Sequence, residues 1–270
     1  MKLKNVIISI LLLSSVLFGA DKKFSLSFRC GYYLPSSSTY NDEMRPALNA
    51  NLNNLNTWLI EEGFTNNLTE LEKINGKMLF GCELEFFPVS IFSVAVGAQI
   101  WQNSLPQGSL QGSGTIDNIP YDISEKISVK ASVVPITVSL RAHLLTGKID
   151  GYIGAGAGYY MGKVVMKEEW NYQMNGESYD SGSQEIESKG NSILPHINAG
   201  FIINLMRNVA LSLDARYPLG AIKSFTIKRD TVDPTNVGNK LRFEDSNGVE
   251  KQFKWELSGI DVGLNLLIRF

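Results

Sequence analysis

Metal-ligating residues are scarce in this sequence: 270 residues hold two histidines, His143 and His196, and two cysteines, Cys30 and Cys82. Zinc sites built from His and Cys need ligands at close spacing, and no pair of histidines stands at that spacing here. No loop carries the regular oxygen-ligand pattern of a calcium hand. The cysteine count also excludes a disulfide-dense scaffold. Charge of one sign is missing too: 25 basic residues stand against 27 acidic ones, a balance unsuited to general nucleic-acid binding. Beyond the amino terminus no apolar run reaches the ~20 residues that a membrane-spanning helix requires. The glycine-rich stretch 151–162 lacks the Lys and Ser or Thr that follow the glycines of a phosphate loop. No cofactor is expected.

What is present starts with Lys2 and Lys4, a mostly apolar run from Val6 to Phe18, then Gly19 and Ala20. That order is a secretory signal peptide, residues 1–20, too short to span a bilayer as a helix. Cleavage removes two lysines, so the mature chain, residues 21–270, keeps 23 basic residues. Its mean hydropathy is −0.04, which alternating apolar and polar positions produce.

The alternation is clearest at the carboxyl end. Ile260, Val262, Leu264, Leu266, Ile268 and Phe270 form one apolar row, and Asp261, Gly263, Asn265, Leu267 and Arg269 the other. A period of two is a strand with one apolar face. Here the chain resembles bacterial outer-membrane β-barrels, whose last strand ends in Phe after alternating apolar residues that the barrel-insertion machinery reads. Gly263, Leu266, Ile268 and Phe270 are the matching positions. The resemblance extends over the mature chain as a pattern and implies an eight-stranded, antiparallel, up-and-down transmembrane β-barrel of the OmpA, OmpX and OmpW type. It implies outer-membrane location, a monomer, and outer-membrane lipid and lipopolysaccharide as surroundings, with no soluble domain after the last strand.

Seven further alternating stretches read as strands over residues 24–34, 77–87, 92–102, 136–145, 151–163, 192–205 and 209–217. Connections after the second, fourth and sixth are a few residues long, while those after the first, third, fifth and seventh run to tens. Such sorting is the arrangement of outer-membrane barrels. Pro135 and Pro195 are expected where their strands enter the membrane from the long-loop side. Tyr32, Tyr33, Trp101, Tyr159, Tyr160, Tyr217 and Trp255 are expected as one aromatic girdle and Phe86, Phe87, Phe92 and Phe270 as the other. Cys30 and Cys82 lie on apolar rows; they pair if their strands are neighbours in matching register and otherwise face lipid. In the first long loop, residues 46–64 place Leu48, Leu52, Leu55 and Leu59 at helical spacing, and a helix capping the barrel mouth is favoured over one resting on the interface or entering the barrel. Asn175-Gly176 and Asn247-Gly248 are hairpin signals.

The polar rows carry Arg29, Arg141, Arg216 and Arg269 against Glu83, Glu85, Asp214 and Asp261, with His143 and His196. Eight strands leave an interior only wide enough for side chains, where charges must pair. A largely closed, salt-bridged interior is therefore expected rather than an open water channel, and the long loops carry a role in envelope structure or surface interaction. The alternative is a small pore or a carrier of hydrophobic or small solutes. A lipid A-modifying enzyme is a third reading, drawn from some eight-stranded relatives. It is disfavoured because His143 and His196 fall at opposite membrane levels, and Ser192 lies about 13 Å from His196 along one strand. The acidic third loop, Glu168 to Glu187, reads as a solvated face. No enzyme activity is expected.

Overall fold

The computed structural model describes residues 23–104, 107–144 and 148–270. The expected leader lies outside these residues, as does part of the turn at 145–147. In chain order the strands are β1 Phe24–Pro35, β2 Thr65–Thr69, β3 Lys77–Val89, β4 Phe92–Ser104, β5 Gly108–Ile116, β6 Ile119–His143, β7 Ile149–Met174, β8 Glu177–Asn204, β9 Val209–Pro218, β10 Ala221–Ile222, β11 Thr226–Asp230, β12 Arg242–Glu244, β13 Glu250–Gln252, β14 Trp255–Glu256 and β15 Gly259–Arg269. A π-helical turn, Thr39–Met44, leads into helix α1, Arg45–Glu61.

Eight strands close a ring in the order β1, β3, β4, β6, β7, β8, β9, β15, each antiparallel to both neighbours. The last strand zips to the first over eleven residue pairs, from Ser25↔Arg269 to Pro35↔Gly259. Phe24 and Phe270 add reciprocal backbone hydrogen bonds of 3.1 and 2.9 Å beyond that ladder. A closed ring leaves no unpaired strand edge, which is what a β-structure in hydrocarbon requires.

The apolar rows face outward all round the ring. Leu140 is 67% exposed, Phe201 60% and Leu213 55%, while the alternate residues Arg141, Ile202 and Asp214 are buried. A water-soluble sandwich would reverse that placement. On β7 the outward apolar residues run from Ile149 to Met161; at roughly 3.3 Å per residue and a tilt near 40° this belt stands roughly 25–30 Å tall, a bilayer core. Val138 lies mid-belt between Val96 and Ala157. Val138→Arg is expected to lower the unfolding free energy in lipid vesicles, followed by urea titration, by about 2–4 kcal/mol. A change below about 0.5 kcal/mol would show that this row does not meet hydrocarbon.

The ring continues past the belt. β6, β7 and β8 are 25, 26 and 28 residues long, against the ~9–11 that a crossing needs. Their extensions form a six-stranded sheet in the order β2, β5, β6, β7, β8, β11. Two hairpins at its tip use paired positive-φ residues, Asn175 with Gly176 and Asp117 with Asn118, the backbone of a type I′ turn. Pro135 and Pro195 lie near the long-loop edge of the apolar belt, opposite Tyr160 and Ala157, within strands that continue past it. Pro135 costs one stretch of ladder, because β4 and β6 are paired from Phe92 to Ala98 and again from Trp101, with a gap opposite Val134 and Pro135.

Helix α1 starts and ends close to its expected bounds. It turns Leu52 and Leu59 into a small apolar core with Phe64, Leu71, Leu110 and Ile127, so it lies against the inner face of the extended sheet. The mouth itself is covered by the π-turn before it, whose Tyr40 and Met44 join the aromatic cluster above the barrel. Cys30 and Cys82 are free and face outward; Cys30 stands opposite Phe80 and Cys82 opposite Phe28. Among the described residues no helix is long and apolar enough to cross a membrane.

Candidate functional site

The inward rows of the eight strands converge on one axis. Their contents form two layers. The lower layer is ionic and the upper is aromatic.

Arg29 reaches Asp214 and, at 2.8 Å, Asp261. Arg141 spans Glu83 at 2.6 Å and Glu85 at 3.1 Å, with its guanidinium 4.7 Å from the centre of the Tyr152 ring. Arg216 closes the circuit on Glu83 at 3.0 Å and donates to Thr137 at 3.1 Å. Tyr152 donates to Asp214 at 3.2 Å. Arg29, Arg141, Arg216, Glu85, Asp214 and Asp261 are all buried, so every one of these charges depends on its partner. Arg269 differs from the other three arginines: among the described residues it contacts no carboxylate, donates to Asn204 at 2.6 Å and lies 5.9 Å from the Phe87 ring at the short-turn rim.

One member was missed by sequence reading. Asp150 falls beside the short turn but is already the first inward residue of β7, in phase with Tyr152 and Gly154, and that parity was the available signal. It lies 2.8 Å from His143 Nδ1.

Ser93, His143 and Asp150 thereby stand in the order of a hydrolytic triad, with Ser93 Oγ 2.9 Å from His143 Nε2. Hydrogen counting gives them another role. The one proton of Ser93 goes to Glu85 Oε1, 2.6 Å away, because a carboxylate only accepts. His143 Nε2 must then donate to Ser93 while Nδ1 donates to Asp150, so the ring holds both protons in this arrangement and is not a general base. With His143 charged, its cation and the four arginines match the five carboxylates Glu83, Glu85, Asp150, Asp214 and Asp261.

His196 is not brought to His143. Its Nε2 lies 2.7 Å from Ser139 Oγ, four residues up β6 from His143, about 13 Å along the strand. Among the described residues no group of three His, Cys, Asp or Glu side chains is placed to hold a metal ion.

Glycines make room for these long side chains. A Cβ on Gly263 would lie 2.5 Å from the Arg29 guanidinium carbon, and one on Gly154 2.3 Å from Asn198 Oδ1. Gly263 therefore belongs to the interior packing. Leu266 faces outward, Ile268 is half-buried, and the Phe270 ring stacks on Phe24 with centroids 6.2 Å apart.

Above the ions runs a chain of ring contacts, Tyr33 to Trp101, Trp101 to Trp255, Trp255 to Phe253 and Phe253 to Phe225, with centroids 5.3–6.0 Å apart in edge-on geometry. Trp101 and Trp255 are fully buried. Tyr33, Trp101, Tyr160 and Trp255 are thus plug residues, a correction to their reading as an interfacial girdle; Tyr32, Tyr159 and Tyr217 do face outward at that level. Between the layers lies a cavity of about 20 Å³, bounded by Trp101, Val133, Tyr160, Arg216 and Asp261 among others, room for one water-sized molecule.

No family model matches the chain, and no curated protein matches it by sequence. Among solved structures it is similar to the outer membrane protein OprG from Pseudomonas aeruginosa, at 11% identity and a TM-score of 0.45 over 93% of this chain and 98% of that one. It is similar to CarO of Acinetobacter baumannii, at 12% identity and a TM-score of 0.34 over 71% and 92%. It is also similar to Ail, the attachment invasion locus protein of Yersinia pestis, at 11% and 0.33 over 93% and 100%. Identities and scores of this size transfer no function. The physical argument rests on the chain itself: a ring without edges, apolar outside and ionic inside, is satisfied only with hydrocarbon around it, and that makes the fold an eight-stranded transmembrane β-barrel.

Proposed function

We propose that the protein is a surface barrel with a closed lumen, which acts in envelope structure or surface interaction through the sheet it raises above the membrane. The observation that carries this reading is the filling of the ring by two successive layers, ionic then aromatic, with a cavity of about 20 Å³ between them. A hydrated ion or small solute needs a continuous path, and opening one would separate buried ion pairs as well as stacked rings. The membrane-spanning ring is then an anchor. The surface it presents is the extended sheet of β5–β8, β2 and β11, stiffened from inside by α1.

Planar-bilayer recording on the full-length protein is expected to show no conductance steps above the empty-bilayer control. Reproducible steps, or solute uptake into protein-containing liposomes, would replace this reading with that of a small pore or carrier.

A further inference from the structure

The rows that leave the membrane on the outer face of the sheet change character at once. The last lipid-facing row includes Val134 and Met161, side by side on β6 and β7. Two residues further, about 7 Å along the strands, the row reads Ser132, Lys163, Lys189 and Thr226 across β6, β7, β8 and β11. Lys240 joins the same rung by its bridge to Thr226, and its Nζ lies 3.3 and 3.4 Å from the Ser224 and Thr226 hydroxyls.

Lys163 and Lys189 are therefore directly opposite one another on neighbouring strands, a placement that repels. Both turn to a single carboxylate: Glu187 lies 2.7 Å from Lys163 and 3.0 Å from Lys189. Lys163 first and then Lys189 hold the Glu187 carboxyl below the usual range, so one anion answers two cations. Lys130 stands exposed in the next row with no carboxylate contact among the described residues. The rung keeps an excess of positive charge at a height just outside the hydrocarbon edge, beside hydroxyls that can donate to phosphate oxygens. Lysines in that position extend their heads to the headgroup plane.

We infer that the Lys163, Lys189 and Lys240 rung is a docking site for the phosphate groups of an anionic lipid of the outer leaflet, which supplies the counter-charge that the fold leaves out. The chemistry is phosphate recognition and the source is the membrane.

The test is a titration of the full-length protein in neutral detergent with lipid A carrying its phosphates, read by native mass spectrometry. Dephosphorylated lipid A and inorganic phosphate are the parallel arms. Each lysine near an anionic surface is worth about fivefold in binding, so the triple variant Lys163→Gln, Lys189→Gln, Lys240→Gln is expected to bind phosphorylated lipid A on the order of a hundredfold more weakly. The corresponding triple Arg variant should retain binding. Equal binding of the two lipid A forms by the unaltered protein would overturn the inference without any variant being needed. Displacement of the lipid by millimolar inorganic phosphate would assign the rung to free anions and overturn the membrane source. Conductance plays no part in this readout, so a pore-forming barrel could still carry the rung.

Discussion

Arg141→Ala is expected to lower the unfolding free energy by about 3–5 kcal/mol, the cost of leaving buried charge without its partner. Arg141 is buried and holds both Glu83 and Glu85. Without it Glu83 keeps Arg216 at 3.0 Å, while Glu85 keeps the hydroxyls of Ser93 at 2.6 Å and Ser25 at 3.3 Å with His143 at 3.7 Å. Two carboxylates would then share one guanidinium and one imidazolium. Restoring balance should restore stability: Arg141→Met combined with Glu85→Gln is expected to recover most of the loss, since Glu83 then keeps Arg216 and His143 keeps Asp150, and removing both members of a buried pair is often close to neutral. Urea titration in vesicles, followed by tryptophan fluorescence, measures both variants. A loss below about 1 kcal/mol for Arg141→Ala would mean that the interior is solvated well enough to screen the pair, which would also weaken the closed-lumen reading.

The ring was legible because hydrocarbon enforces a strict period of two, and parity assigns every inward residue once one is known. The same rule hid the strand lengths. On β7 the apolar row is odd-numbered up to Tyr159 and Met161, then becomes even-numbered at Val164 and Met166. The strand continues without a break while its apolar side switches from lipid outside to the plug inside. Read from sequence, a phase reversal at Gly162 looks like the end of a strand. The aromatic plug was obscured for a related reason. Trp101 shares parity with Gln99, and Tyr33 with Arg29, which marks both as inward; their height near the interface matched a girdle, and height was given more weight than face. Asp117-Asn118 was passed over as a hairpin because neither residue is glycine, although Asn and Asp tolerate positive φ. The inward charges are the reverse case: Arg29, Glu83, Glu85, Arg141, Asp214, Arg216 and Asp261 share the parity of their inward neighbours, and Asp150 was missed because the turn expected at 146–150 ran two residues into β7.

Gly156→Val is expected to prevent the ring from closing. A Cβ at Gly156 would lie 2.0 Å from the Val138 carbonyl oxygen, 2.8 Å from Ser139 Cα and 2.9 Å from His196 Nε2. Two of these atoms are backbone, so no rotamer change relieves the contact, and β6 and β7 would have to separate at a point where the inner face of the sheet is already packed. The cost exceeds the 1–3 kcal/mol of ordinary overpacking, and a branched side chain adds further bulk against His196. Ala155→Val provides the control: Ala155 is one residue away on the same strand, turned outward and exposed, and its larger side chain would extend into lipid. Cold and heated samples compared by gel mobility, with far-ultraviolet circular dichroism, separate a closed barrel from an unfolded chain. The expected result is a folded Ala155→Val protein and an unfolded Gly156→Val protein; if both fold with similar urea midpoints, β6 and β7 do not approach as closely as the interior packing requires, and the fit of His196 against Ser139 goes with it.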